Sequence, residues 1–126
     1  MKRSEVNDIL DRSWSFIKSH GMHLPPFAHW TPEQMRAPEA ADIRSRGLGW
    51  DITDYGQGRF DELGLFLFTT RNGSHADLSA GRGMLYAEKV MISRRDQLSP
   101  MHRHDIKAED IINRGGGTLV IELFAP

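Results

Sequence analysis

A change of pattern at Gly47 constrains the fold more than any other feature of the sequence. Before it, Val6, Ile9, Leu10, Trp14 and Ile17 recur at the three- and four-residue spacing of one helix face. This predicts a helix over 4–20, with Ser4 as its cap and Gly21 as its stop. "HLPPFAHW" (23–30) reads as extended, because each proline fixes its own φ and disfavours helix in the residue before it. A short helix is expected from Thr31, where Thr caps, Pro32 takes the first helical position and Gln34 completes a capping box. "PEAADIRSRG" (38–47) reads as one further helical piece stopped by Gly47.

After Gly47 the chain breaks into short apolar runs divided by turn signals such as "RNGSH", "SAGRG" and "RRDQ". Strands are expected over 48–56, 63–71, 84–93, 98–104 and 118–124. Alternation in "GLFLFTT" and "YAEKVMI" is partial, as expected in a two-layer β structure. The 126 residues thus divide into a helical arm, 1–47, and an antiparallel β domain, 48–126. Five strands are few for such a domain, since a jelly roll closes its two sheets with about eight. Either an oligomer covers the open edge or the chain is a piece of something longer, and the second is the expectation here.

Composition removes several classes of function. Sixteen basic residues against 17 acidic ones leave a net charge of -1, and the basic residues are scattered, so no nucleic-acid partner is expected. The absence of cysteine excludes disulfides, thiolate metal sites and a cysteine nucleophile. Neither a signal-peptide core nor a run of roughly 18 apolar residues is present, so no membrane association is expected and the cytoplasm is the default compartment.

The stretch that carries chemistry is "MHRHDIKAEDIINRGGG" (101–117). In a strand, residues two apart share a face, so His102 and His104 would stand side by side with Arg103 turned away. Glu109 lies beyond a short connection and could return to the same place. Two neutral nitrogens and a carboxylate suit manganese, iron, nickel or zinc, with positions left open for water or substrate. The plainer alternative is a pair of surface histidines beside a charged turn. His20, His23, His29 and His75 lack such companions and are expected to be surface or packing residues. Gly115–Gly117 lacks the Lys-Ser/Thr of a phosphate loop and reads as a turn.

"HRHDIKAEDIINRGG" resembles the first motif of the cupins, a His-x-His followed by Glu and then Gly, except that Asp96 stands where a glycine is expected six residues before the first histidine. Over nearly the whole chain the resemblance tightens to the D-lyxose isomerase family. It is carried by "MKRSEVN" (1–7), "HLPPFAHWTPE" (23–33), "WDITDYGQGRFDELGLFLFTTRNG" (50–73), "YAEKVMI" (86–92) and "SPMHRHDIKAEDIINRGGGTLVIEL" (99–123). The resemblance implies a mainly β, cupin-like jelly roll holding a manganese-type ion (Mn2+ first; Zn2+, Fe2+ or Ni2+ as substitutes) on His102, His104 and Glu109. It implies isomerisation of D-lyxose to D-xylulose, with mannose-like sugars often accepted. Cupins usually add a fourth ligand, a histidine from a second motif further on, and none of the 17 residues after Glu109 is histidine. The chain therefore resembles the N-terminal part of such an enzyme.

The resemblance also marks Lys89, in "YAEKVMI", as the counterpart of a substrate-contacting lysine. Strand parity groups it with Ala87 and Met91 and apart from Tyr86, Glu88 and Val90. A solvated or ion-paired strand lysine is the alternative. Glu122 is a carboxylate inside an apolar run and is a weaker catalytic candidate, facing either the same pocket or solvent. Asp110 is expected in turn contacts or in contacts that support Glu109, and Phe27 and Trp30 in packing, a pocket wall or a subunit contact. Two functions remain in view: a metal-dependent aldose–ketose isomerase acting on a small pentose, or a non-catalytic cupin-like module that binds metal or sugar. A homodimer is expected on either, because "TLVIELF" would leave a sheet edge and an apolar face to cover.

Overall fold

The computed structural model describes residues 1–105 and 108–124. Helix α1 runs Arg3–Ser19 and buries Ile9, Ser13 and Ile17, four residues apart. It starts one residue earlier than its sequence suggests, because the Glu5 carboxylate accepts the Lys2 backbone N–H and makes Lys2 the cap. Its end is as expected, with Gly21 at φ 69 and its N–H on the Lys18 carbonyl at 3.0 Å.

The proline-rich stretch differs from its extended reading. Pro26 opens a 3₁₀ turn, Pro26–His29, that buries Ala28; a fixed φ suits the first position of a turn as well as an extended chain. The turn stacks Phe27 on Phe68, centroids 5.4 Å apart, and sets Trp30 edge-on to Phe27, so both aromatics serve packing. Helix α2, Pro32–Arg36, has the full capping box: Gln34 N–H on Thr31 Oγ1 at 3.2 Å and Thr31 N–H on Gln34 Oε1 at 2.8 Å. A second 3₁₀ turn, Pro38–Ala40, runs into α3, Ala41–Ser45, and Gly47 at φ 61 ends it.

Strands β1 (Gly49–Thr53), β2 (Leu65–Asn72) and β3 (Ala87–Ile92) form an antiparallel sheet in the order β1-β2-β3. Register sets Trp50 opposite Phe68 and Ile52 opposite Phe66 on one side, and Ile92 and Val90 opposite the same two phenylalanines on the other. These six side chains make one face, and Ile9 and Ile17 of α1 belong to the same core cluster as Phe66 and Ile92. Trp50 Nε1–H also donates to the Ala28 carbonyl at 2.9 Å, tying the sheet to the first 3₁₀ turn. The other face carries Asp51, Leu67, Thr69, Met91 and Lys89. Partial alternation in "GLFLFTT" follows from β2 being central, with Phe66–Thr69 buried on both sides. A bulge between Thr69 and Arg71 then shifts the pairing so that Arg71 meets Glu88.

Two differences from the sequence reading concern the element count. Helix α4, His75–Ser79, forms where only a turn is expected, because Ser74 Oγ caps the Asp77 N–H at 3.0 Å. Segments 98–104 and 118–124 are not strands; among the described residues the sheet has three strands rather than about five. Only Leu98 bridges to Leu63, in parallel, while Val120 and Leu123 are 78% and 87% exposed. Strand residues hold their conformation through a neighbour's N–H and C=O groups, and among the described residues neither segment has such a neighbour along its length. The architecture is a small β sheet with a helical arm, compatible with an incomplete cupin-like fold. No helix among the described residues is long and apolar enough to cross a membrane.

Candidate functional site

The approach to the two histidines is built by three consecutive anchors. After β3 the chain turns at Arg94–Gln97, closed by Gln97 N–H on the Arg94 carbonyl at 3.1 Å and by Arg94 N–H on Gln97 Oε1 at 3.0 Å. Asp96 sits in this turn at φ 59. It therefore departs from the motif's glycine in residue type but adopts the left-handed backbone that glycine favours, and aspartate is among the side chains that tolerate it.

Next, Gln97 Nε2 donates to the Phe60 carbonyl at 2.6 Å. Leu98 exchanges backbone hydrogen bonds with the same loop, donating to Glu62 O at 2.8 Å and accepting from Gly64 at 3.0 Å. Gly64 permits this approach: a Cβ there would collide with the Phe60 carbonyl oxygen and lie 2.9 Å from Gln97 Nε2. The third anchor joins the hydroxyls of Tyr55 and Ser99, 2.9 Å apart.

Beyond these anchors stand the predicted ligands. His102 Nδ1 is 2.9 Å from the Pro100 carbonyl. A carbonyl only accepts, so Nδ1 carries the proton and the neutral ring keeps its lone pair on Nε2. The rings of His102 and His104 are 4.9 Å apart and edge-to-face. His104 Nε2 lies 3.2 Å from Glu109 Oε1, and Arg103 turns to Asp105 at 3.0 Å. The connection through Ile106 and Lys107 lies outside the described residues. Further on, Asn113 accepts the Gly115 N–H at 3.0 Å and donates to Gly117 O at 2.9 Å. Gly115 and Gly116 have φ 129 and 90, so the triple glycine is a turn.

The donor types fit a borderline divalent cation: two imidazoles, one with its tautomer set by a backbone carbonyl, and a carboxylate. Their present arrangement is not that of a closed site. His104 Nε2 faces Glu109, and no three His, Asp or Glu side chains among the described residues converge on one point.

Lys89 stands on β3 opposite Thr69, on the face away from α1, and is exposed. Glu122 and Asp110 are exposed outside any strand or helix. His20, His23, His29 and His75 are exposed too; His29 packs edge-on to Trp14 at 4.3 Å, and His20 lies against Phe16. Two shallow depressions flank α1, one beside Phe16 and Arg94, the other between Met1, Asp54 and Phe60; neither contains Lys89, His102, His104, Glu109 or Glu122.

Sequence reasoning missed Asp54 and Tyr55. Asp54 is 5% exposed and accepts the N–H groups of Gly56 and Gly58 at 3.0 and 3.1 Å. The Gly56 N–H holds its carboxyl below the usual carboxylate range; burial opposes this, while the Met1 ammonium, 3.8 Å away, and the Gly58 N–H add to it. The signal lay in "DYGQG" (54–58), where Asp followed by two glycines favours a side-chain-capped turn.

Comparison with known proteins shows what the chain is similar to. The family described as D-lyxose isomerase matches residues 1–126. A D-lyxose/D-mannose isomerase of Escherichia coli O157:H7 is 46% identical over 127 residues, covering 98% of this chain and 55% of the relative. One of Serratia proteamaculans is 46% identical over 126 residues, covering 98% and 54%. The chain spans about half the length of these curated relatives.

Proposed function

The chain belongs to the D-lyxose isomerase family, and from that premise we propose that it is a metal-dependent aldose–ketose isomerase, or the N-terminal portion of one, acting on D-lyxose to give D-xylulose. The observation that supports this reading best is the approach of His102, His104 and Glu109 described above. These three would hold the ion, with Mn2+ first and Zn2+, Fe2+ or Ni2+ as substitutes. A bound divalent ion supplies Lewis-acid polarisation of the sugar carbonyl and orients its oxygens.

The chain's own side chains then have distinct tasks. His102 offers Nε2 because Pro100 engages Nδ1. Glu109 holds the His104 ring and would release it as a ligand. Lys89, exposed on the sheet face away from α1, would donate to a sugar hydroxyl. Glu122 is the weaker candidate for moving a proton, and no described partner holds it in place. We further propose a cytoplasmic homodimer.

A second reading is a non-catalytic cupin-like module that binds metal or sugar. It is favoured by the lack of a convergent ligand group among the described residues. Conversion of D-lyxose to D-xylulose, measured with added Mn2+ and with EDTA, separates the two. Turnover that EDTA abolishes and Mn2+ restores is expected of the isomerase. No turnover beside an active full-length relative assayed in parallel leaves the module.

A further inference from the structure

We propose that Tyr55 is a positioning residue for the candidate metal centre, acting through Ser99 and Pro100 on the His102 imidazole. The proposal rests on the metal-centre reading for its purpose, although the positioning itself concerns the ring alone.

Among the described residues, Tyr55 and Asp96 are the non-glycine residues with positive φ, at 53 and 59; Asp96 lies on the approach to the histidines and Tyr55 in the loop that contacts it at Ser99. A left-handed backbone is unfavourable for a residue with a Cβ and persists only where its surroundings impose it. Here they do. Thr53 Oγ1 accepts the Tyr55 N–H at 3.0 Å, and the buried Asp54 carboxylate gathers the Gly56 and Gly58 N–H groups. The loop thus delivers a phenol hydroxyl to Ser99, 44 positions along the chain.

The place of that contact matters more than its strength. Backbone–backbone hydrogen bonds anchor the chain up to Leu98, and none is made beyond it among the described residues. Tyr55–Ser99 is therefore the next tie after the last backbone anchor. One residue further, Pro100 presents the carbonyl that sets the His102 tautomer. Proline restricts its own φ and the conformation of Ser99, so fixing Ser99 restricts where that carbonyl points. Groups that orient a ligand imidazole through its second nitrogen tune the site without touching the ion.

The test uses the whole chain as it stands, with Tyr55→Phe, Ser99→Ala and Ser99→Thr. Tyr55→Phe keeps the ring and its backbone demand and deletes only the hydroxyl. Imidazole 15N spectra of the metal-free proteins, at about pH 8 where histidine is mainly neutral, report the His102 tautomer. Calorimetric titration with Mn2+ reports affinity. Tyr55→Phe and Ser99→Ala are expected to shift the His102 nitrogens toward a tautomer mixture and to weaken Mn2+ binding about tenfold, with Ser99→Thr restoring both. Unchanged His102 nitrogens in Tyr55→Phe and Ser99→Ala overturn the proposal. If the wild-type chain takes up no Mn2+ but the nitrogens shift, the positioning stands and the metal-centre reading falls. Amide spectra of β1–β3 check folding; should Tyr55→Phe perturb them, Ser99→Ala, which leaves the 53–58 loop intact, decides.

Discussion

Single residues set the conditions under which the approach to the histidines forms. Asp54 accepts two backbone N–H groups and sits below its ordinary pKa. A carboxyl depressed in the folded state stabilises the fold above its unfolded value, and that contribution is lost as pH falls through the depressed one. Stability is thus expected to decline as pH drops below about 4, and Asp54→Asn to flatten that part of the curve, as urea midpoints against pH will record. Gly64 acts sterically. Gly64→Ala would press a methyl against the Phe60 carbonyl and Gln97, and is expected to cost about 1–3 kcal/mol, read by thermal denaturation. At the proposed ligands, and if the chain is the isomerase proposed above, His104→Ala is expected to abolish Mn2+-dependent turnover and weaken Mn2+ binding by about 10–100-fold or more, with the sheet's amide spectrum retained.

Among the elements, β2 carries the fold. It pairs with both neighbours and contributes Phe66 and Phe68, 1% and 0% exposed. Phe68 meets Trp50 at 4.5 Å and Phe27 at 5.4 Å, so Phe68→Ala removes a ring that joins the sheet to the arm. A loss of about 3–5 kcal/mol is expected from urea unfolding. Helix α2 shows how much an element can owe to local chemistry: every part of the Thr31–Gln34 box is legible in the sequence and present in the structure. The bulge after Thr69 is the opposite case. Nothing in "FTTRN" announces it, because a bulge is an agreement between two strands that lie far apart in sequence.

On the scale of the whole molecule, the sheet's two faces have different fates. The helical arm covers the face of Phe66 and Phe68, while Met91 on the other face is 56% exposed, and apolar residues continue to surface at Ile112, Val120 and Phe124. Exposed apolar residues such as these are the ones an association surface would cover. The proposed homodimer predicts a sedimentation mass twice that of one chain; a single-chain mass at micromolar concentration would exclude it.

Local periodicity, proline and glycine spacing, and capping pairs determined α1 and α2 and marked the three paired strands among the five expected, because those signals act between near neighbours. The same short range made His102, His104 and Glu109 visible as a motif. What tertiary structure alone decided is how "LSPMHRH" and "TLVIELF" behave, since a strand depends on a partner that its own residues cannot supply. It also decided that Asp96 would adopt a left-handed backbone. Finally, it decided that a tyrosine 44 positions upstream would tie down the approach to the histidines, a contact that exists only once the loops at Asp54 and Phe60 have brought the two segments together.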